Sequence, residues 1–167
     1  MTTLKNKMTF AELIKHPVYF LGLGFGSGLA PKAPGTFGTL AAIPLYFLIK
    51  DVPLVSYLGV VVTAFIMGIW ICQQSAQWLG QRDPSAVVWD EIVGYLITMI
   101  AAPTGWQWLV LGFIFFRFFD ILKPWPINLA DKAIHGGLGI MVDDVIAGIF
   151  ALVCVQWIHL VLPTINW

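Results

Sequence analysis

Long apolar stretches, each ended by a short polar or Gly/Pro-containing break, dominate the pattern of this chain. A membrane-spanning helix needs about 20 mostly apolar residues, because each residue adds about 1.5 Å toward a hydrocarbon core about 30 Å thick. Five stretches approach that length and predict five membrane helices, of which the first is the shortest: 36–49, 52–72, 85–102, 106–122 and 138–162. The pattern therefore predicts an all-α, polytopic membrane bundle.

The polar start of the chain predicts one more helix, which lies on the membrane surface. No apolar run with a small-residue cleavage site follows this start closely, so we expect it to be retained. Thr9 and Glu12 have the spacing of a capping box. The apolar residues after Thr9 share one helical face: Phe10, Leu13 and Ile14. A Gly/Pro-rich loop then leads to the first membrane helix.

The composition makes an integral membrane protein the best interpretation. Of 167 residues, 59% are hydrophobic and 11% are charged, whereas soluble domains average about 45–50% and about 25%. So few charged side chains suit a surface that faces lipid, and we expect one membrane-embedded domain over residues 1–167. The net charge is zero and no Lys/Arg-rich run is present, which argues against nucleic-acid binding.

The distribution of basic residues predicts which side of the membrane each helix end faces. If each predicted helix crosses the membrane in the direction opposite to the one before it, eight of the nine basic residues fall on one side of the membrane, and Lys50 falls on the other. The positive-inside rule makes the first side cytoplasmic, so we expect a cytoplasmic N-terminus. The same arrangement gathers five acids at the cytoplasmic ends of the last three helices: Asp90, Glu91, Asp120, Asp143 and Asp144.

These acids need a counter-charge. An ionisable group in a spanning segment costs about 2.5–3.5 kcal/mol, so such groups usually face a partner, water or an ion. Oxygen ligands favour Mg²⁺, Mn²⁺ or Ca²⁺ over zinc, and the three histidines have no ligand spacing, so we favour Mg²⁺. Ion pairing with Arg117 and Lys123 is the structural alternative. The functional alternatives are a small ion-coupled carrier that uses the acids as a relay, and a non-catalytic subunit.

The Gly/Pro-rich run 22–39 carries candidate phosphate ligands. Lys32 and Thr36 offer a charge and a hydroxyl at the start of the first membrane helix. The run matches neither a Walker loop nor a dinucleotide fingerprint. Close helix packing and a re-entrant loop over the acids therefore both stay open as its role.

The end of the fourth helix forms a charged edge. Arg117, Asp120 and Lys123 are three residues apart, and Arg117 offers a fork for phosphate oxygens. Snorkelling of the two basic side chains to the membrane boundary is the simpler alternative. The polar segment 128–139 that follows is expected to be a mobile lid or a linker.

Four motifs resemble one known family in order and spacing. They are G-S-G-L-A-P-K-A-P-G-T-F-G-T at 26–39, W-D-E-I-V-G at 89–94, F-R-F-F-D-I-L-K-P-W-P at 116–126 and G-I-M-V-D-D-V-I-A-G at 139–148. In these motifs the chain resembles the phosphatidylglycerophosphatase A family. The resemblance implies a Mg²⁺-dependent phosphatase of the bacterial inner membrane, which removes the terminal phosphate of the lipid phosphatidylglycerophosphate. The product would be phosphatidylglycerol, a cardiolipin precursor.

The resemblance also implies roles for single residues. It assigns the metal to Asp90, Glu91, Asp143 and Asp144. Asp120 and Asp90 become the catalytic acids, with Asp120 completing the metal shell or orienting the attacking water; a covalent aspartyl-phosphate stays open, although no flanking sequence argues for it. The substrate phosphate would be held by Lys32, Thr36, Arg117 and Lys123. A CDP-alcohol phosphotransferase is disfavoured because its D-G-x-x-A-R run is missing. The oligomeric state stays open.

Overall fold

The computed structural model describes residues 10–161, and within that range the fold is entirely helical. Eight α-helices occur there, with a 3₁₀ segment at Gly24–Leu29 between the second and the third. In chain order the α-helices are α1 (Phe10–Leu13), α2 (Pro17–Gly22), α3 (Pro34–Ile49), α4 (Leu54–Leu79), α5 (Trp89–Thr98), α6 (Trp106–Leu122), α7 (Ile127–Ala133) and α8 (Gly136–Val161). The prediction of an all-α fold is confirmed.

Two of the helices are long and apolar enough to cross a bilayer on their own. α4 and α8 have 26 residues each, which is about 39 Å of helix. α4 runs past its predicted end at residue 72, because the glutamines that follow are good helix formers, and it ends at Gly80 in a left-handed conformation (φ 66°). α3 begins two residues before the predicted stretch and α6 has the predicted bounds, and with 16 and 17 residues both are shorter than α4 and α8. The long apolar helices fit the predicted membrane protein.

The predicted third helix, 85–102, is wrong at both ends. α5 covers only Trp89–Thr98, ten residues or about 15 Å, which is half of a bilayer's hydrocarbon core. The residues before it form a loop, in which the N–H of Val88 donates to the carbonyl of Gly22 at 2.9 Å. The apolar pattern did not predict these ends, because loop residues buried in a protein can be as apolar as those of a buried helix.

The loop after α5 has its backbone satisfied by a side chain of α8. The amide of Gln156 donates to the carbonyl oxygens of Ile100 and Ala101, at 3.0 and 2.9 Å. A membrane protein tolerates irregular backbone only where protein or water satisfies its polar groups. Gln156 therefore stabilises the end of the short helix.

α5 lies at the centre of the bundle, in contact with α3, α4, α6 and α8. Every residue from Ile92 to Thr98 is buried, so this part of the helix is covered by protein on all sides. The Tyr57 hydroxyl of α4 donates to the Leu96 carbonyl at 2.7 Å, and the Tyr95 hydroxyl donates to a carbonyl of α6 at 3.0 Å. These contacts hold α5, and with it the acids of its first turn, in one position.

Glycines bring α5 and α8 into close contact. A methyl group at Gly148 would overlap the carbonyl oxygen of Gly94. A methyl group at Gly94 would lie 2.5 Å from the Phe116 ring and 2.9 Å from the carbonyl oxygen of Asp144. Small residues at such crossings let helix backbones approach each other. This contact sets Asp144 beside α5.

The glycine-rich run serves close packing. α2 lies against α4, and a methyl group at Gly28 of the 3₁₀ segment would overlap the carbonyl oxygen of Ala86 in the loop before α5. Helix packing, one of the two roles left open, therefore accounts for residues 22–28. The predicted N-terminal helix corresponds to α1, while Thr9 and the side chain of Glu12 lie outside the described residues.

The segment predicted to be a lid or linker, 128–139, is folded. α7 packs on α8, its Ile127 is fully buried, and α8 itself begins at Gly136. Seven residues are too few to show a helical period, which explains why the sequence pattern did not reveal α7.

Candidate active site

Three of the predicted acids meet at one end of the bundle. Carboxylate oxygens of Asp90, Glu91 and Asp144 all lie within 4.8 Å of one another. Asp90 and Glu91 lie in the first turn of α5. Asp144 lies about two turns into α8 and is 3% exposed. We call these three residues the carboxylate cluster.

The carboxylate cluster contains polar atoms that no neighbour satisfies. Asp90 Oδ1, Glu91 Oε2 and Asp144 Oδ2 are buried and have no hydrogen-bond partner among residues 10–161. A buried polar group without a partner costs roughly 1–3 kcal/mol, and a charged one costs more. Hard cations such as Mg²⁺ take carboxylate oxygens as ligands. The donor set therefore fits a hard divalent cation and does not fit a soft metal.

Arg117 and Asp120, one turn apart on α6, lie beside the cluster. The Arg117 guanidinium donates a hydrogen bond to Asp120, and its Nη1 lies 3.8 Å from Glu91 Oε1. The three side chains are 13–15% exposed. One guanidinium cannot neutralise Asp120 and three clustered carboxylates. Ion pairing, the structural alternative of the sequence analysis, therefore accounts for only part of the negative charge.

The start of α3 closes one side of the site. A methyl group at Gly35 would overlap Glu91 Oε1 and lie 2.9 Å from Arg117 Nη1, so glycine is the residue that leaves room for both side chains. The positive end of the α3 dipole lies beside these acids and stabilises their negative charge. Gly35 is not among the site residues that the sequence predicts. The sequence feature that could have identified Gly35 is a Pro-Gly pair at a helix start, next to the predicted ligand Thr36.

The two predicted phosphate ligands near Gly35 are placed differently. Thr36 is the next residue of α3 and is partly buried. Lys32 is exposed in the loop before α3 and belongs to none of the ion pairs found in the described part of the chain. Thr36 thus follows the glycine that meets Glu91 and Arg117, whereas Lys32 lies on the surface.

Lys123, just after α6, is bound by two acids. Its Nζ donates to Asp131 Oδ1 of α7 at 2.7 Å and to Asp143 Oδ2 of α8 at 2.6 Å. Burial alone would lower the pKa of Lys123, but the hydrogen bonds and charges of both acids raise this pKa above its ordinary value. We call these three residues the lysine bridge. The four predicted metal ligands therefore divide into the three of the cluster and Asp143, which is held by Lys123.

Asp131 is a site residue that sequence reasoning missed. It lies eight positions after Lys123, in the segment predicted to be a lid or linker. No helical spacing relates the two residues, because the chain changes direction between α6 and α7. The one sequence feature that could have indicated Asp131 is an acidic residue in a segment without a clear hydrophobic period.

Large apolar side chains surround the charged end of α6 on its outer face. Each of the following is more than half exposed: Phe118, Ile121, Leu122, Trp125 and Leu129. In a membrane protein, exposed apolar and aromatic side chains of this kind face lipid. The charged end of α6 therefore lies next to an exposed apolar surface of α6 and α7.

Comparison with known proteins agrees with the four motifs. The family model of phosphatidylglycerophosphatase A matches residues 20–159. The chain is 45% identical to a phosphatidylglycerophosphatase A from Escherichia coli strain K12 over 139 residues, which are 83% of this chain and 81% of that protein. It is also 45% identical to the phosphatidylglycerophosphatase A of Haemophilus influenzae over 147 residues, 84% of this chain and 87% of that protein.

A third relative carries a different name. The protein is from Bacteroides thetaiotaomicron, its name proposes phosphatidylinositol-3-phosphatase activity, and it is 40% identical over 149 residues, 83% of this chain and 92% of that protein. No solved structure is significantly similar to the chain. The match over most of the chain shows that this protein belongs to the phosphatidylglycerophosphatase A family.

Proposed function

We propose that the protein hydrolyses the terminal phosphate of phosphatidylglycerophosphate in a Mg²⁺-dependent reaction that yields phosphatidylglycerol and inorganic phosphate. The family and the names of the two phosphatidylglycerophosphatase A relatives support this substrate. The observation that carries the proposal is the carboxylate cluster, which has three buried oxygens without a partner among residues 10–161 and has Arg117 next to Glu91. A phosphatase gives a role to both the acids and the arginine, whereas an ion-coupled carrier gives a role to the acids alone.

Asp90, Glu91 and Asp144 are the residues that we propose hold Mg²⁺. Asp143 is a fourth candidate, because its Oδ1 is buried without a hydrogen-bond partner in the described chain while Lys123 holds its Oδ2. When bound, Mg²⁺ supplies positive charge to the acids and acts as a Lewis acid toward phosphate oxygens.

Arg117 is proposed to bind the phosphate that is transferred. Its guanidinium carries five N–H donors in a planar fork, and its Nε has no partner among the described residues. Negative charge on the phosphoryl oxygens in the transition state is stabilised by donors fixed in advance. Thr36 adds a hydroxyl at the start of α3, and Lys32 adds a charge from the loop.

Asp120 is proposed to orient the attacking water and accept its proton. The hydrogen bond from Arg117 fixes this carboxylate beside the proposed phosphate position. The water oxygen forms a bond to phosphorus, the bond between phosphorus and the glycerol oxygen breaks, and that oxygen takes up a proton from solvent. Asp90, the second acid proposed to be catalytic, contributes through the cation that it helps to hold.

We further propose that the site faces the cytoplasm from the bacterial inner membrane. The excess of basic residues on one side supports this orientation. The lipid-facing side chains around the end of α6 support entry of the headgroup from the bilayer. A substrate bound in this way needs no deep aqueous cavity, because the acyl chains never leave the membrane.

The test is phosphate release from phosphatidylglycerophosphate by the purified protein in detergent, with Mg²⁺ or with EDTA. We expect release with Mg²⁺, none with EDTA, and none from Asp90→Asn or Asp144→Asn at matched thermal stability. Asp51→Asn is the matched control, because Asp51 is 82% exposed and lies after α3, at the end opposite Gly35. Absence of release from folded wild type would contradict the proposal and favour the carrier or the subunit.

A second substrate arm uses phosphatidylinositol 3-phosphate, because the name of the Bacteroides thetaiotaomicron relative points to that lipid. We expect a lower kcat/KM for it than for phosphatidylglycerophosphate. The reverse preference would keep the lipid phosphatase and overturn the proposed substrate.

A further inference from the structure

We propose that Asp131 is a positioning residue for the phosphatase reaction, which holds the Lys123 ammonium so that its remaining N–H donor points to an anionic oxygen of the lipid headgroup. This inference rests on the proposed function. It assigns a role to an acid of α7 that lies outside the carboxylate cluster and shares Lys123 with Asp143, the sequence neighbour of Asp144.

The donors of Lys123 can be counted. An ammonium group has three N–H donors, and two of them are used by Asp131 and Asp143. The Lys123 side chain is 28% exposed and that of Asp131 is 35% exposed, whereas that of Asp143 is 9% exposed. Lys123 and Asp131 are therefore the more accessible members of the lysine bridge, and Asp143 is the more buried one.

The charge balance of the lysine bridge favours positioning over simple attraction. One ammonium between two carboxylates has a net charge of about −1, so the group as a whole does not attract an anionic headgroup. Lys123 can assist only if one N–H is aimed at a phosphate oxygen at short range. Two acids on different helices, α7 and α8, fix that direction in a way that one acid cannot.

The backbone of Lys123 also indicates that its side chain is needed. Lys123 has a φ of 42°, in the left-handed region, at the position after a helix where glycine is usually found. A lysine there gives up the conformational advantage of glycine and places its side chain between α7 and α8. This side chain would be dispensable if the position served only to end α6.

A plain structural staple between α6, α7 and α8 is the competing explanation, and steady-state kinetics separate the two. We would measure kcat, KM for phosphatidylglycerophosphate and Tm, with Mg²⁺, for Asp131→Asn, Asp131→Glu and Lys132→Gln. Lys132 is the matched control, because it is the exposed neighbour on α7 and belongs to none of the ion pairs in residues 10–161.

Positioning predicts a graded change in KM. We expect Asp131→Asn to raise KM about 10-fold with a smaller effect on kcat, and Asp131→Glu, which shifts the carboxylate by one methylene, to raise it about 3-fold. Lys132→Gln should match wild type. If Asp131→Asn fails to fold, the Glu variant carries the test, because it keeps the staple and moves the ammonium.

Two results would overturn the inference. One is a lower Tm with wild-type kcat and KM, which is the signature of a staple. The other is a further loss of kcat/KM when Asp131→Asn is added to Lys123→Met, because a residue that acts through Lys123 has nothing left to position in that background. Wild type that releases no phosphate at all would instead contradict the proposed function, so the two failures are distinguishable.

Discussion

The carboxylate cluster and the lysine bridge lie at the same end of the bundle but are held in opposite ways. In the cluster, three carboxylates approach one another, each with a buried oxygen that has no partner in the described part of the chain, and Arg117 Nη1 lies 3.8 Å from Glu91 Oε1. In the bridge, Lys123 binds both of its acids within 2.7 Å. Asp143 and Asp144 are neighbours in sequence, yet one belongs to the bridge and the other to the cluster.

The fold is less stable than it could be at the carboxylate cluster, where the proposed reaction needs the acids, and not at the lysine bridge. Adjacent residues of a helix point about 100° apart, so one acid of the pair meets Lys123 and the other meets α5. Removing the basic partner of a buried acid leaves an uncompensated charge and destabilises the fold, whereas removing one of several buried acids that lack a basic partner relieves such a charge. Functional sites commonly retain such unfavourable groups because the reaction needs them. Removing an acid from the carboxylate cluster should therefore not lower the stability of the fold, whereas removing the lysine from the lysine bridge should lower it.

The largest effect is expected from Asp144→Asn. We predict phosphate release about 1,000-fold below wild type, because the variant loses a ligand of the proposed cation. Its Tm in EDTA should equal or exceed that of wild type, since one of several mutually repelling carboxylates is gone. Added Mg²⁺ should raise the Tm of wild type, by mass action on the folded state, and leave that of the variant unchanged. Thermal unfolding in detergent with and without Mg²⁺ gives both numbers.

Asp51→Asn serves as the control, because it makes the same chemical change at the other end of α3. It should keep the wild-type response of Tm to Mg²⁺. An equal Mg²⁺ response from Asp144→Asn would show that the cation binds elsewhere, and the cluster would lose its proposed role.

The next effect concerns stability in the lysine bridge. Lys123→Met leaves the carboxylate of Asp143, which is 9% exposed, without its basic partner, so we predict a fall of about 2–3 kcal/mol in the free energy of unfolding. Tm or denaturant midpoint in EDTA measures it. The double variant Lys123→Met, Asp143→Asn should recover most of the loss, because the stranded charge is also removed. Lys132→Met is the control for loss of a lysine.

An unchanged Tm for Lys123→Met would contradict the contrast between the two groups. It would mean that solvent already satisfies Asp143 and that the ion pairs of the bridge contribute little. The opposite signs predicted for Asp144→Asn and Lys123→Met are therefore a stricter test than either variant alone.

The sequence predicts that the acids lie at one end of the bundle, but not which of them belong to the carboxylate cluster and which to the lysine bridge. Helices that cross the membrane in alternating directions bring the acid-bearing ends of three helices to the same side. The spacing of Arg117 and Asp120 predicts their contact on α6. Which of Asp143 and Asp144 faces α5 depends on how α8 is rotated, and a helix that is apolar on most sides gives no signal for its rotation. The pairing of Asp131 depends on α7, which is too short to show a period.

The bounds of α5 were missed for a related reason. Hydropathy reports burial, and residues 86–88 before α5 and Met99 after it are buried without being helical. The start at Trp89 matters for function, because it puts Asp90 and Glu91 in the first turn, at the positive end of the helix dipole. The favourable position of the two acids could be seen only once the true start of the helix was known.

A smaller effect on activity is expected from Gly35→Ala. The added methyl group would overlap the Glu91 carboxylate and crowd Arg117, so we predict a loss of kcat/KM of about 10–100-fold with little change in Tm. Gly59→Ala is the matched control, because a methyl group at this α4 glycine meets open space. It should keep wild-type activity and gain slightly in stability, since alanine favours helix over glycine. Equal kinetics for the two variants would show that the start of α3 does not shape the site.

The smallest effect on activity is expected from Gln156→Leu, which tests whether the two ends of α5 are independent. Loss of the amide leaves the carbonyls of Ile100 and Ala101 without their donor, so the free energy of unfolding should fall by about 1–3 kcal/mol. Yet kcat and KM should stay within about twofold of wild type, because hydrogen bonds from Tyr57 and Tyr95 and the glycine contact with α8 fix the helix closer to its acids. Tm and steady-state kinetics on one preparation give both values. A fall in kcat in proportion to the loss of stability would show that the carboxylate cluster depends on the far end of α5. The difference in stability between the cluster and the lysine bridge would then come from the whole of α5 and not from the local pairing of the acids.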